Sequence, residues 1–294
     1  MNVNRRQFLS ATGATLSGLG VLGSAGTAAA ASTPYITTRD HFDDDGDLTS
    51  GHTQYDYGTS GDVPGVDTGC VGDVTVFVHG WDKKSSESDA EQAALDKMAE
   101  ADAELTNAGY AGTVVGMTWD NDKGGGWDYG WGVSKDIAQQ TGIKLAQFAV
   151  DFKYYCPDST LRFTSHSLGA QVLFNAVRVL DDSSWWDDNG HQIRSVHPFG
   201  AATDNEVPTT EDRETYDALY NEVGEVHNYY NAADDVLQFV YNTIEFDQAL
   251  GETGIESGNV APPNYADHDV ESQVGDDHSN YLATIADDIV GDMP

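Results

Sequence analysis

The sequence has few basic residues and almost no cysteine. Of its 294 residues, 14 are lysine or arginine and 49 are aspartate or glutamate, so the formal charge is −35. The acidic residues are spread along the chain, which indicates a solvated acidic surface rather than an interaction tail. Because such a surface repels phosphate groups, we predict that the chain binds neither nucleic acid nor an anionic membrane.

The same charge imbalance bears on the solvent in which the chain folds. Like charges at this density repel one another strongly in dilute buffer. At about 1 M salt the Debye length falls to roughly 3 Å and this repulsion is screened. The composition resembles that of secreted proteins from extreme halophiles, and we expect a protein adapted to high salt.

Motifs that indicate a bound cofactor are also missing. The sequence contains no C-x-x-C pair, no H-E-x-x-H and no phosphate-binding loop. The run Asp43 to Asp47 resembles a calcium loop, but an EF-hand needs glycine at its sixth position and glutamate at its twelfth, where this chain has Leu48 and Gln54. We interpret the run as a turn between two early strands, and we expect no metal and no organic cofactor.

The amino terminus has the pattern of an export signal. Asn4-Arg5-Arg6-Gln7-Phe8-Leu9 is a twin-arginine pattern, followed by a modestly apolar stretch rich in glycine, alanine and serine. Glycines interrupt that stretch at Gly13, Gly18, Gly20 and Gly23, which argues against a stable membrane span. We predict cleavage between Ala30 and Ser32 and secretion through the twin-arginine export machinery. Residues 1–31 are then a signal peptide, and residues 32–294 form one domain.

A short turn in the middle of the chain supplies a candidate nucleophile. Thr164-Ser165-His166-Ser167-Leu168-Gly169-Ala170 lies between an apparent strand from Thr160 and an apolar-periodic helix. A sharp strand-to-helix turn strains the backbone of its central serine and leaves room only for small residues two positions away. Ser165 stands where the G-x-S-x-G pattern has its first glycine, and Gly169 is the second. Ser167 is therefore the candidate nucleophile.

Three further motifs offer partners for a serine nucleophile. Val74 to Val78 predicts a buried strand that runs into His79-Gly80-Trp81, a turn that can bring a backbone N–H close to a reacting carbonyl. Val226 to Tyr230 predicts a strand that ends in Asn231-Ala232-Ala233-Asp234-Asp235-Val236-Leu237. Asp276-Asp277-His278-Ser279-Asn280-Tyr281 follows near the end of the chain. The order of the candidate groups is serine, aspartate, histidine.

With these motifs the chain resembles serine hydrolases of the α/β-hydrolase fold, in their lipase and esterase branch, from about Val74 to Tyr281. The resemblance implies an α/β fold with a mostly parallel central sheet and helices on both faces. It also implies hydrolysis of a small-molecule or lipid carboxylic ester through an acyl-enzyme. The implied triad and oxyanion donors are Ser167, Asp234 and His278, and the backbone N–H groups of Trp81 and Leu168.

Each implied group has a chemical reason to be present. A serine hydroxyl is hardly ionised at neutral pH, so an imidazole must take its proton during attack and return it to the leaving group. The carboxylate holds the imidazole in the correct tautomer. Backbone N–H donors stabilise the tetrahedral oxyanion by on the order of 3 kcal/mol per donor.

The acid and the base each have a competitor. Asp234 is preferred because the acid in this family usually precedes a hydrophobic pair after one intervening residue, which leaves Asp235 facing solvent. Asp204, which follows the preceding predicted strand, is the fallback acid. The competitor of His278 is His268, in a loop rich in proline and aspartate.

The other histidines are interpreted as structural. His166 is expected to pack or hydrogen-bond at the turn, and His79 is expected to shape the oxyanion loop. His191 and His227 are taken as surface groups or as interior groups with satisfied hydrogen bonds.

The loop after Trp119 bears on the substrate. It contains three glycines followed by Trp127, Tyr129 and Trp131, and it leaves the carboxyl end of a predicted strand. These aromatic residues are expected either to line an acyl pocket or to pack the start of the next helix. The acidic segment Thr203 to Glu222 emerges at the same edge and is a candidate lid. Amide hydrolysis, polyester depolymerisation and a noncatalytic exported binding protein remain as alternatives.

The two cysteines precede two different predicted strands. Cys70 lies four residues before the strand at Val74, and Cys156 lies a few residues before the strand that leads to Ser167. In the strand order that the resemblance implies, these strands are neighbours and both cysteines lie at the edge opposite the site. We expect either a structural disulfide, suited to an oxidising exterior, or a pair of buried free thiols.

Between these motifs the chain alternates predicted strands and helices, as a mostly parallel sheet requires. The predicted helices are Ser88 to Ala108, Ser134 to Tyr154 and Ser167 to Leu180, and further strands are Thr113 to Trp119 and Ile193 to Phe199.

Overall fold

The computed structural model describes residues 33–82, 84, 86–126 and 128–294. The predicted signal peptide and the candidate pocket residue Trp127 lie outside the described residues. Within the described part of the chain, no helix is both long enough and apolar enough to cross a membrane.

The described residues form an eight-stranded sheet. Its strands are β1 (Tyr35–Thr37), β2 (Gly58–Ser60), β3 (Asp73–Val78), β4 (Thr113–Thr118), β5 (Thr160–His166), β6 (Ile193–Phe199), β7 (Val223–Tyr230) and β8 (Tyr265–Asp269). The spatial order is β2-β1-β4-β3-β5-β6-β7-β8. The edge strand β2 is antiparallel to β1, and all other neighbours are parallel.

Helices connect the strands and cover the sheet. They are α1 (Glu87–Asn107), α2 (Trp131–Tyr155), α3 (Gly169–Asp181), α4 (Ser184–Asp188), α5 (Arg213–Glu222), α6 (Asn242–Glu245), α7 (Leu250–Thr253), α8 (Glu271–Val274) and α9 (Tyr281–Gly291). A π-helical turn, Leu237–Tyr241, precedes α6.

The sheet separates two hydrophobic cores. Val76 and Val78 of β3 pack with apolar residues of α2, α3 and α5, whereas Phe77 packs with residues of α1 and α9. This division follows from the alternation of side chains along a strand. The fold class predicted from the sequence is confirmed: an α/β-hydrolase fold with a mostly parallel central sheet and helices on both faces.

Two boundaries of the predicted helices differ from the structure by more than one residue. Helix α2 begins at Trp131 rather than Ser134, so the aromatic Trp131 is its first residue. Helix α3 begins at Gly169 rather than Ser167. The reason is the backbone of Ser167, whose φ of +55° lies in the left-handed region and is incompatible with an α-helical residue.

The candidate lid is in part a connecting helix. Residues 213–222 form α5, which carries the chain from β6 to β7. The Arg178 guanidinium of α3 donates to the hydroxyl of Thr215 on α5 at 3.0 Å, and Ala218 and Leu219 are buried in the core. This half of the segment is therefore packed against the sheet and is not a lid.

A disulfide joins Cys70 to Cys156, with their Cα atoms 5.5 Å apart. The strands that follow them, β3 and β5, are parallel neighbours, with Asp73 paired to Thr160. The bond therefore lies at the amino edge of the sheet, opposite the edge that carries Ser167. The expected disulfide is confirmed, and the alternative of two free thiols is excluded.

Candidate active site

Ser167 occupies a strained turn between β5 and α3. Its φ of +55° is costly for a residue with a side chain, so the surrounding structure must hold it in place. The Ser167 N–H donates to the Phe199 carbonyl at 3.2 Å, and the Ser167 carbonyl accepts from the Ala202 N–H at 3.1 Å. The end of β6 and the residues just after it therefore fix both sides of the serine backbone.

The same turn requires small residues around it. A Cβ on Gly169 would lie 2.5 Å from the Val78 carbonyl oxygen, because the turn crosses directly over the end of β3. A Cβ on Gly80 would lie 2.6 Å from the Cβ of Ser167. Ser165, where the sequence pattern has its other glycine, is completely buried, which a short side chain permits.

The loop His79-Gly80-Trp81 is held in one orientation beside Ser167. The indole N–H of Trp119 donates to the His79 carbonyl at 3.0 Å, and the side-chain amide of Asn121 donates to the Gly80 carbonyl at 2.8 Å. In a trans peptide the N–H points opposite to the carbonyl. Fixing the Gly80 carbonyl therefore also fixes the direction of the Trp81 N–H.

The two amides proposed as oxyanion donors have no acceptor among the described residues. Within the described ranges, neither the Trp81 N–H nor the Leu168 N–H donates a hydrogen bond to another protein group. Trp81 follows Gly80, whose Cα lies against Ser167, and Leu168 follows Ser167 directly. Free backbone donors next to a serine are what an oxyanion hole requires.

Asp234 and His278 form an acid–base pair in which the acid is buried and the base is partly buried. The Nδ1–H of His278 donates to Oδ2 of Asp234 at 2.6 Å, and the Tyr281 hydroxyl donates to the same oxygen at 3.0 Å. The backbone N–H groups of Val236 and Leu237 donate to Oδ1 at 3.1 and 3.0 Å. Asp234 is completely buried, so these four hydrogen bonds replace water around its charge.

The Asp234 contact determines which nitrogen of His278 can act as a base. Because Nδ1 carries the proton that Asp234 accepts, Nε2 has a free lone pair. In the described structure Nε2 is buried and has no hydrogen-bond partner, and it does not reach the Ser167 hydroxyl within hydrogen-bonding distance. Contacts of this kind often tighten only in the substrate complex.

His166 connects the base to the serine turn. Its Nε2–H donates to the backbone carbonyl of His278 at 2.9 Å, and the two rings lie 4.6 Å apart. Burial and the neighbouring His278 lower the pKa of His166 well below its usual range. Burial and the nearby Arg39 lower the pKa of His79 to about 3. Both rings are neutral at neutral pH, which fits the structural roles expected of them.

The competing acids and base lie in other surroundings. Asp235 is exposed, and its N–H donates to the Asp276 carbonyl at 3.3 Å. Asp204 accepts from the Tyr241 hydroxyl at 2.6 Å. His268 was expected in a loop, but it lies in β8, where pairing with β7 places it 3.0 Å from His227. Of these three groups, none contacts His278 in the described structure.

The two candidate pocket residues that the structure describes, Tyr129 and Trp131, differ in their exposure. Trp131 is buried and packs edge-on against Trp81 at 5.5 Å and against Tyr241 at 5.8 Å. Its indole N–H donates to Glu245. Tyr129 is 70% exposed. Trp131 therefore starts α2 and also supports the loop that carries the Trp81 N–H.

Sequence reasoning missed the contact of Tyr281 with Asp234. Tyr281 belongs to the motif around His278, but no part of that motif indicates a contact with a residue 47 positions away. The available signal was its place at the start of an apolar-periodic helix three residues after the histidine. A side chain there can turn back toward the same partner as the histidine.

Comparisons with known proteins give only distant similarities. No protein-family model and no curated protein matches the chain. The catalytic core domain of acetyl xylan esterase from Trichoderma reesei is similar with a TM-score of 0.38 and 13% identity, over 75% of this chain and 98% of that one. An acetylxylan esterase structure at 0.90 Å resolution gives a TM-score of 0.39 and 13% identity, over 74% and 95%.

A third solved structure, Trichoderma reesei cutinase with a phosphonate inhibitor, has a TM-score of 0.30 and 15% identity, over 75% of this chain and 74% of that one. Similarities of this size carry no argument about family or activity. The functional assignment therefore rests on the residues of this chain.

Proposed function

We propose that this protein is a serine carboxylic ester hydrolase in which Ser167 is the nucleophile, His278 the general base and Asp234 the residue that orients the base. One observation carries the proposal. A serine with φ of +55° stands on a strand-to-helix turn, and the residue before it, His166, is hydrogen-bonded to the backbone of His278, whose Nδ1–H is bound to a buried carboxylate. Structural packing alone has no need for this combination of strain, burial and charge.

The reaction follows from the positions of these groups. As Oγ of Ser167 attacks the ester carbonyl carbon, Nε2 of His278 takes its proton. The oxyanion that forms accepts from the N–H groups of Trp81 and Leu168. The carbon–oxygen bond to the alcohol then breaks, and the imidazolium returns the proton to the departing alcohol. A water activated by the same imidazole hydrolyses the acyl-enzyme and regenerates the serine.

Asp234 keeps its hydrogen-bond donors throughout this cycle. Its four hydrogen bonds come from donors that are present before the reaction begins, so little reorganisation is needed when His278 becomes positively charged. The buried carboxylate stabilises the imidazolium and keeps its Nε2 directed away from Asp234.

Polyester depolymerisation is the second candidate function, and exposed apolar side chains favour it. Phe239 is 70% exposed and Phe246 is 88% exposed. They flank the segment whose Tyr241 packs against Trp131, which in turn packs against Trp81. A solid apolar substrate could cover these side chains while one of its ester groups reaches Ser167.

We also propose that the protein is exported by the twin-arginine route and acts in concentrated salt. The twin-arginine pattern and the formal charge of −35 support this proposal. A disulfide between Cys70 and Cys156 is consistent with an oxidising exterior.

The proposal is tested with residues 32–294 refolded in about 3 M salt, where surface charge is well screened. Short and long p-nitrophenyl esters are hydrolysed side by side by the wild type, by Ser167→Ala and by Ser279→Ala. Ser279 is an exposed serine next to His278 and serves as the control. We expect Ser167→Ala to lower kcat by at least about a thousandfold, and Ser279→Ala to change it little.

Two results would overturn the ester-hydrolase proposal. One is a folded wild type that is as inert as Ser167→Ala on both esters, and the other is full activity in Ser167→Ala. Release of soluble acid from a polyester film tests polyester depolymerisation separately from hydrolysis of the soluble esters. Phe246→Ser is expected to slow release from the film while hydrolysis of the short ester is unchanged.

A further inference from the structure

Three potential metal ligands meet on the face of the sheet that α9 covers. His227 lies in β7, His268 lies in β8, and Asp292 directly follows α9. Nδ1 of His227 is 3.0 Å from Nε2 of His268. Oδ2 of Asp292 is 3.9 Å from the former nitrogen and 3.6 Å from the latter. The strand pairing produces this meeting, because β8 places His268 opposite Tyr229, two residues from His227.

The spacing of the three atoms matches that of ligands around one ion. Zinc bonds of about 2.0–2.1 Å in a tetrahedron keep neighbouring ligand atoms roughly 3.3 Å apart. The observed separations, 3.0, 3.6 and 3.9 Å, lie around that value. Hydrogen bonding alone explains the arrangement of the three atoms less well than a shared ion does. A single hydrogen can join the two nitrogens, but the carboxylate oxygen is too far from both of them for a normal hydrogen bond.

Groups behind two of the ligands hold them in the orientation that a metal site needs. Nε2 of His227 lies 3.3 Å from a carboxylate oxygen of Glu225, which places the ring hydrogen on Nε2 and leaves the Nδ1 lone pair free. The Tyr229 hydroxyl donates to Oδ2 of Asp292 at 3.0 Å and so orients that carboxylate. A carboxylate behind a ligating imidazole is the usual support of histidine ligands in metal sites.

A cavity of about 470 Å³ gives access to the cluster. His268, Asp292 and Tyr229 line it, together with three further aspartates: Asp269, Asp287 and Asp288. This lining attracts a cation, and the cavity has room for a water molecule as a fourth ligand.

We propose that His227, His268 and Asp292 bind one divalent transition-metal ion, with zinc as the preferred ion. Two imidazoles and one carboxylate favour zinc or a similar ion over calcium and magnesium, which prefer oxygen ligands. The site is separate from Ser167, and the ion has no part in the ester chemistry. It ties the end of α9 to β7 and β8. The segment between His268 and Asp292 carries His278, so the ion closes the loop that holds the base.

A second histidine cluster serves as a control because it already contains a cation. His41, His52 and Asp56 also lie close enough to share an ion. However, Nζ of Lys144 lies 3.2 Å from Oδ1 of Asp56, and the two imidazole rings stack at 3.7 Å. The lysine ammonium supplies the positive charge there, so we do not expect a metal to bind at that cluster.

The test uses protein purified without a histidine tag and stripped with a chelator. Zinc and cobalt(II) are titrated in about 1 M sodium sulfate, which screens surface charge and avoids chloride, a competing zinc ligand. The measurements are bound metal after dialysis, the visible absorption of cobalt(II) and the Tm. We expect about one tightly bound zinc per chain, a higher Tm with zinc, and the intense cobalt bands of a four-coordinate site.

Variants assign the binding to the proposed ligands. His268→Gln and Asp292→Asn should abolish tight binding, and His52→Gln should leave it unchanged. Glu225→Gln keeps every ligand and should weaken binding about tenfold, so it tests the site even if His268→Gln does not fold. The proposal fails if the wild type binds zinc no better than magnesium, or if tight binding survives in both His268→Gln and Asp292→Asn. None of these three readouts depends on ester hydrolysis, so the two proposals succeed or fail separately.

Discussion

At the scale of single residues, the backbone of Ser167 is the most constrained point of the candidate site. Its left-handed φ is held by backbone hydrogen bonds to Phe199 and Ala202 and by the close approach of two glycines, Gly80 and Gly169. Such strain costs on the order of 1–3 kcal/mol and persists only where the surroundings impose it. The strain places the hydroxyl at the carboxyl edge of the sheet, where the imidazole and the two candidate oxyanion N–H groups lie.

Exchanging the carboxylate of Asp234 tests its role in orienting the base. Asp234→Asn keeps the size of the side chain but can donate to Nδ1, which favours the wrong imidazole tautomer. We expect kcat to fall by roughly ten thousandfold, as expected for a triad acid. The matched control is Asp235→Asn, because Asp235 is adjacent and exposed. Ester hydrolysis by both variants is compared with that of the wild type, and an equal effect of the two substitutions would contradict the assignment.

Glu222, at the end of α5, is expected to make stability depend on pH. Burial and the nearby Asp187 and Asp181 raise its pKa from 4.5 to about 7. An acid whose pKa is higher in the folded state favours folding when protonated. Its contribution is complete below about pH 4.5 and is lost as the pH rises through about 7.

Glu222→Gln removes this dependence because glutamine cannot ionise. We expect the variant to have a higher Tm than the wild type at about pH 8 and a similar Tm at about pH 4. Glu214→Gln, at an exposed position of the same helix, is the control and should change neither value. Thermal unfolding followed by circular dichroism at both pH values makes the comparison, and an equal gain at both would argue for packing rather than charge.

At the scale of elements, the sheet brings distant segments to one edge. Asp234 follows β7, His278 lies between β8 and α9, and Ser167 follows β5. The candidate site thus depends on how β5, β6, β7 and β8 pair, while the disulfide holds the opposite ends of β3 and β5. Stability and chemistry are therefore separated along the strands, at the amino and carboxyl edges respectively.

Removing the disulfide is expected to affect stability and to spare the chemistry. The bond links residues 86 positions apart. In the chain-entropy account, closing a loop of that length stabilises the fold by roughly 4.5 kcal/mol. The double variant Cys70→Ser, Cys156→Ser should lose about this much free energy of unfolding in denaturant titrations. Its kcat in high salt should match that of the wild type. A large loss of kcat with unchanged stability would show that the bond supports the site instead.

At the scale of the whole molecule, the main feature is the excess of negative charge, which opposes the compact state. A formal charge of −35 on 294 residues opposes any compact state, and the opposition weakens as salt screens it. Four basic side chains are buried in the described residues. Three are paired with carboxylates, Lys123 with Glu87, Lys144 with Asp56 and Arg162 with Asp73, and the fourth, Lys153, donates to the Ser159 carbonyl. The excess of acidic over basic residues therefore lies on the surface, where salt ions can screen its charge.

We expect the Tm to rise by at least about 10 °C between roughly 0.1 M and 3 M sodium chloride. The rise should be steepest at low salt, where the Debye length changes most. Sucrose at matched osmolality serves as the control, since it stabilises folded proteins without screening charge. A Tm that responds equally to salt and to sucrose would contradict a charge-screening origin.

Local patterns were enough to predict the alternating strands and helices, the turn at Ser167 and the positions of the candidate acid and base. Strand periodicity, small residues at a tight turn and polar residues after a strand are properties of neighbouring residues, so a single sequence displays them. The excess of acidic over basic residues is likewise read directly from composition.

Pairing between distant strands was decided only in the tertiary structure. It placed Asp234, and not Asp204, in hydrogen-bonding contact with His278. It also brought together two cysteines that the sequence alone left either bonded or free. It also moved His268 from an expected loop into β8, beside His227 and Asp292. No local pattern records which strand lies next to which, because that choice depends on the packing of the whole sheet and the helices on both of its faces.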